Sequence, residues 1–240
     1  MPVYQFKSYG NIHNPDKLVI FIHGYRSSMN GVLAEATILS ALIKNAVIVT
    51  PQSNKIRKNN NVREWYNVSE HDKEHKRRNP NTPIDEVVAI YNAAGEQLSV
   101  HASEMNTFID EIQALYGIND ENTYIIGFSQ GAMMAIYTSL SRKQKVGGCI
   151  ALSGIVAGKD CLEKELYSYP NVYMFHGKDD VTVQYKTLNF SLDWLKAHNI
   201  NVKAYRIDDM PHIINPSELV QVADIINMSV SLHNKQIQIV

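Results

Sequence analysis

Three short stretches of the chain hold side chains able to attack a carbonyl or carry a proton. The first is Gly127-Phe128-Ser129-Gln130-Gly131. A serine with a glycine two residues before and two after, set between an apolar run and a helical pattern, reads as a tight strand-to-helix turn that projects the hydroxyl. The second is His176-Gly177-Lys178-Asp179-Asp180, and the third is Asp208-Asp209-Met210-Pro211-His212. A serine hydroxyl is a poor nucleophile until a base removes its proton, and the base needs an acid to orient it. Ser129, one of the two adjacent aspartates and His212 supply those three groups in chain order. Spacing alone leaves Asp179 and Asp180 open. His23 and His176, at strand ends beside glycine, suit hydrogen bonds to backbone better than the role of base. An oxyanion formed on the carbonyl would need two backbone N–H donors. Position offers those of Gln130, after the serine, and Tyr25, in the turn after Phe21-Ile22-His23-Gly24.

These groups converge only if the elements before them lie side by side. Apolar runs of strand length occur at Leu18–Ile22, Ala46–Thr50, Thr123–Ile126, Gly148–Leu152, Val172–Phe175 and Val202–Ile207, with Val3–Phe6 a weaker candidate. Helical patterns fall between them, at Gly31–Ile43, Ile84–Tyr116, Gln130–Ser141, Tyr185–His198 and Ser217–Leu232. Thr82-Pro83-Ile84-Asp85 predicts a helix start with Thr82 as N-cap and Pro83 in the first turn. Gly95 predicts a break in the long pattern that follows. Alternating strands and helices predict an α/β fold, a mostly parallel sheet covered on both faces. Ligands of such sheets bind beyond the strand C-termini, where all three stretches lie.

Composition narrows the classes. With 23 basic and 24 acidic residues in 240, the net charge is −1, which gives no footing for a nucleic-acid partner. No apolar run is long enough for a transmembrane segment. The N-terminal residues lack a basic region followed by an apolar block, so no signal peptide is expected, and with only two cysteines a cytoplasmic location is expected. Cys149 reads as a small core residue. One domain is expected over residues 1–240, with a polar excursion at about 53–82 that is either a solvated loop or a cover over the site. Within it, His71-Asp72-Lys73-Glu74-His75 matches the H-x-x-E-H zinc pattern, in which a helix would bring His71 and His75 to one face with Glu74 as base. No apolar stripe surrounds that pattern, and Asn79-Pro80-Asn81 cuts any helix short, so a polar loop is the better reading. A further alternative is a non-catalytic protein that keeps the fold and binds a ligand. The full serine, acid and histidine set argues against it.

The chain resembles the phospholipase/carboxylesterase family, which includes bacterial carboxylesterase and the acyl-protein thioesterases. The likeness runs from about Leu18 to Asn227. It rests on His23-Gly24, Trp65-Tyr66, the Gly127–Gly131 stretch, His176-Gly177 with its aspartate, and Met210-Pro211-His212. The resemblance implies an α/β-hydrolase fold and a serine carboxylesterase acting on carboxylic esters or thioesters through an acyl-enzyme. Lysophospholipids and acylated proteins are among the substrates it implies. It places the acid at Asp180, supports Tyr25 and Gln130 as oxyanion donors, and sets an acyl groove near Trp65. It implies no metal or organic cofactor, and a monomer or weak homodimer. The family commonly has His-Gly-x-Gly-Asp after its first core strand. Here Arg26 stands in place of a small residue at the mouth of the site, which makes it a candidate substrate contact. Asn67 stands where the family usually has Asp. The run Asp72–Arg78 is more polar than the family pattern and reads as a solvated charge run rather than a seat for an anionic head group.

Overall fold

A computed structural model describes residues 2–57 and 62–236, with side chains for 2–56 and 62–228; residues 58–61 of the polar excursion lie outside it. The main sheet has seven strands: β1 (Phe6–Gly10), β2 (Lys17–Ile22), β3 (Ala46–Pro51), β6 (Thr123–Phe128), β7 (Gly148–Leu152), β8 (Val172–Gly177) and β9 (Val202–Ile207). Two short strands, β4 (Ile56–Arg57) and β5 (Val62–Arg63), form a separate hairpin. The helices are α1 (Leu33–Leu42), α2 (Ile84–Asn92), α3 (Gly95–Tyr116), α4 (Gln130–Ser141), the single turn α5 (Lys159–Leu162), α6 (Thr187–Ala197) and α7 (Pro216–Gln236).

The strand order is β1-β3-β2-β6-β7-β8-β9, parallel throughout except for β1, which runs antiparallel to β3. From β2 the chain moves outward to β3, then returns to the other side of β2 to lay down β6. That reversal opens a crevice beyond the C-terminal ends of β2 and β6, where an α/β sheet receives its ligand. Side-chain alternation splits the core between the two faces. Leu18, Ile20 and Ile22 of β2 pack with α2–α4, whereas Val19 and Phe21 pack with α1 and α7. Both sets are fully buried, the reason β2 reads as one continuous apolar run.

Three expectations need correction. The first strand begins at Phe6 rather than Val3, because Phe6 to Gly10 are the residues in register with β3. Its Lys7 and Ser8 suit an edge strand, which need not be apolar. Pro83 rather than Thr82 takes the N-cap position of α2, and no side chain caps that helix. The excursion is not merely solvated. It folds into turns in which Trp65, Tyr66, Asp72 and Arg77 are buried. The break near Gly95 separates α2 from α3, and a Cβ there would lie 2.8 Å from Cys161 Sγ. Cys149 is a core residue, and burial pushes its thiol up to about 12.

Candidate active site

Ser129 sits between β6 and α4 with φ 55° and ψ −117°, a backbone state that costs a non-glycine residue about 1–3 kcal/mol. The surroundings leave it no alternative. Its N–H donates to Leu152 O at 2.9 Å. A Cβ on Gly127 would lie 2.0 Å from Gly131 O, and one on Gly131 would lie 2.2 Å from Ile22 O. The two glycines of the motif are there for close approach, one within the turn and one against the end of β2.

His212 follows β9, and its imidazole stands against the ring of Phe128 with centroids 4.8 Å apart. Its Nε2 is 2.9 Å from Ser129 Oγ and its Nδ1 is 2.7 Å from Asp180 Oδ2. Asp180 is buried after β8, whereas Asp179 is exposed. Asp180 Oδ1 accepts the Thr182 and Val183 N–H groups, each at 2.9 Å. His176 Nε2 lies 3.4 Å from Oδ2 and 2.8 Å from Val183 O. Burial pushes the Asp180 carboxyl up, but hydrogen bonds from His176 and His212 outweigh it and hold the group well below the usual carboxylate range. An ionised Asp180 requires a proton on His212 Nδ1, which leaves Nε2 to accept from the serine hydroxyl. His23 does not enter this chain of groups. Burial lowers it to about 4, and its ring bonds Gly24 O and the Ser53 N–H.

A shallow cleft of about 30 Å³ opens at Ser129, walled by Tyr25, Tyr66, Arg77, Arg78, Gln130 and Met133 among others. Gln130 is the first residue of α4, where backbone N–H groups have no intrahelical acceptor. Its side chain reaches the other way. Oε1 accepts the Trp65 N–H at 2.8 Å, and Nε2 donates to Tyr66 O at 2.6 Å.

The two expected substrate contacts do not line this cleft. Trp65 is 1% exposed; its indole donates to His23 O at 2.7 Å and packs on the His23 ring, so it supports the turn after β2. Its neighbour Tyr66 faces the cleft instead. Arg26 is exposed outside the lining, beside the Tyr25 ring. Sequence reading missed Met133, one helical turn after the serine, and the burial of Arg77, which pairs with Asp72 at 3.0 Å. The zinc reading loses its premise. His71, Glu74 and His75 are exposed in turns rather than on a helix, and His75 has φ 55°. A larger polar groove of about 640 Å³ lies by Arg142 and contains none of Ser129, Asp180 or His212. Ser129 lines the smaller cleft.

Comparison with known proteins adds a family context. A family model described as Phospholipase/Carboxylesterase matches residues 11–230. Acyl-protein thioesterase 1 homolog 1 of Dictyostelium discoideum is 35% identical over 101 residues, covering 41% of this chain and 45% of that protein. Homolog 2 of the same organism is 32% identical over 154 residues, covering 62% and 69%. The chain thus spans about half the length of the first curated relatives it matches. In fold it is similar to the crystal structure of esterase PE8, with a TM-score of 0.79 at 22% identity over 94% of this chain and 98% of that one.

Proposed function

This chain belongs to the phospholipase/carboxylesterase family, and on that premise we propose that it is a serine esterase hydrolysing carboxylic esters or thioesters. The observation that carries the reading is the continuous hydrogen-bond path from Ser129 Oγ through His212 to Asp180, at 2.9 and 2.7 Å. In this mechanism His212 Nε2 takes the proton from Ser129 Oγ as the oxygen attacks the carbonyl carbon. Asp180 fixes the imidazole tautomer and stabilises the imidazolium. The N–H groups of Gln130 and Tyr25 receive the oxyanion, helped by the N-terminal end of α4. His212 then protonates the departing alcohol or thiol. Water enters, gives its proton to His212, and releases the acid from Ser129 by the same steps in reverse. The positive φ of Ser129 supports this role, because strain of that kind persists where the surroundings enforce it.

The test is hydrolysis of p-nitrophenyl esters from acetate to palmitate by wild type and Ser129→Ala. Wild-type turnover with a loss of about 10³-fold or more in the variant is expected. Equal rates in the two proteins would refute the assignment. Thioester hydrolysis is the second reading, favoured by the relatives named acyl-protein thioesterase. Release of thiol from a short acyl thioester, compared with the oxygen ester of the same acyl group, separates the two.

A further inference from the structure

The cleft at Ser129 is walled by two guanidinium-bearing residues, Arg77 and Arg78, and by no carboxylate. The two arginines are not equivalent. Arg77 is buried, its charge is met by Asp72 at 3.0 Å, and its carbonyl accepts from Gln184 Nε2 at 2.8 Å, so it belongs to the wall. Arg78 is exposed, lines the same cleft, and makes no ion pair and no side-chain hydrogen bond among the described residues. Partial burial and the neighbouring charge of Arg77 lower its pKa, with Arg26 adding to the effect. Three cations thus influence one another on one side of the site, and among the described residues only Arg77 of the three has an ion-pair partner. A guanidinium lining the same cleft as a nucleophile, and without an ion-pair partner, carries a planar fork of donors that can take a carboxylate in two parallel hydrogen bonds.

We infer that Arg78 sets the substrate preference of this site by seating a carboxylate carried on a short ester within a few bonds of the scissile carbonyl. This rests on the esterase reading above. The lining fits it in one respect: Tyr66, Met133 and Val183 offer an apolar wall for a short acyl or alkyl segment, and Arg78 is the lining cation with no ion pair among the described residues. Arg26, exposed on the same side, adds to the field that draws an anion in.

Matched ester pairs that differ in the charge of one carboxyl group test the inference. Each enzymatic rate is taken above the spontaneous hydrolysis of the same ester, since a free carboxylate can attack its own ester. One pair is mono-p-nitrophenyl succinate and its methyl ester, with the charge on the acyl side. The other is acetylated glycolate and its methyl ester, with the charge on the leaving group. The wild type is expected to favour the charged member of at least one pair by about tenfold or more in kcat/KM, mainly through KM. Added salt should shrink the ratio. Arg78→Gln should bring the ratio close to one. Arg78→Lys, which keeps the charge and loses the planar fork, should restore part of it. The inference is overturned by the absence of preference in both pairs, or by a ratio that survives Arg78→Gln. Equal losses on charged and neutral esters would also overturn it, by making Arg78 merely structural. Should Arg78→Gln fail to fold, the wild-type ratio, its salt dependence and Arg78→Lys still decide. Ser129-dependent hydrolysis without charge preference defeats this inference alone; no Ser129-dependent hydrolysis of any ester defeats the esterase reading and this with it.

Discussion

Asp180 is a carboxylate with four partners divided between its two oxygens, two backbone amides on Oδ1 and two imidazoles at Oδ2. Replacing it by Asn leaves the shape but turns an acceptor into a group that can present N–H to His212 Nδ1. The imidazole would then adopt the tautomer that cannot accept the serine proton. Asp180→Asn is therefore expected to lower kcat for p-nitrophenyl acetate by about 10³–10⁴-fold with little change in KM. An unchanged kcat would remove Asp180 from the mechanism. At this scale the serine and histidine were legible because their neighbours are constrained: only glycine fits at positions 127 and 131. The choice between Asp179 and Asp180 was not legible from spacing, since it depends on a turn in which the Asp180 N–H bonds Gly177 O and its own carbonyl accepts from Tyr185. Trp65 misled for a similar reason. Adjacent aromatics in a loop point different ways, and sequence does not say which of Trp65 and Tyr66 meets the cleft.

The start of α7 carries a reciprocal cap that follows His212 closely. Asn215 Oδ1 accepts the Ser217 N–H at 3.0 Å, and Glu218 Oε2 accepts the Asn215 N–H at 3.2 Å. Glu218 is fully buried and its second oxygen has no partner among the described residues. Burial raises its carboxyl from 4.5 to about 7, against the weaker opposing pull of the Asn215 N–H. Between those values the folded state holds a proton that the unfolded chain has released, so this group's contribution falls as pH rises through about 7. Glu218→Gln keeps the acceptor and removes the charge. It is expected to raise stability on the order of 2–3 kcal/mol near pH 8.5 and to have little effect near pH 4.5. Urea unfolding at the two pH values checks this, and equal effects at both would show that Glu218 titrates elsewhere. Elements buried on both faces, such as β2 and β7, were legible as apolar runs. The edge strand β1 was displaced because half its residues are polar, and the N-cap of α2 because a capping residue in sequence does not oblige its hydroxyl to bond.

At the scale of the whole molecule, one buried arginine joins three segments distant in sequence. Arg142, at the end of α4, is buried and pairs with Asp110 of α3 at 2.6 Å and with Asp120 ahead of β6, while Nη2 also bonds Gln113 at 2.8 Å. Arg142→Ala would strand Gln113 and Asp120 and is expected to destabilise the fold by about 2–4 kcal/mol. A chemical denaturation midpoint that does not move would contradict it. The mostly parallel sheet was legible from alternating strand and helix patterns, whereas the strand order, with its reversal at β2, was not read from them. The path of the chain through residues 53–82 was not legible, because its anchors are two adjacent buried aromatics, Trp65 and Tyr66, and single polar contacts rather than a periodic face. Those anchors reach both halves of the site: Gln130 on the serine turn, and Gln184 with Lys186 beyond Asp180. Gln130 therefore stands at two junctions, its main chain opening the helix behind Ser129 and its side chain holding the excursion in place. In chimera construction, then, it is position 130 of the host that a transplanted loop depends on. The amide there grips main-chain atoms, so any loop of the same path would find it, whereas Gln130→Ala would leave the N–H of residue 65 and the carbonyl of residue 66 without these partners.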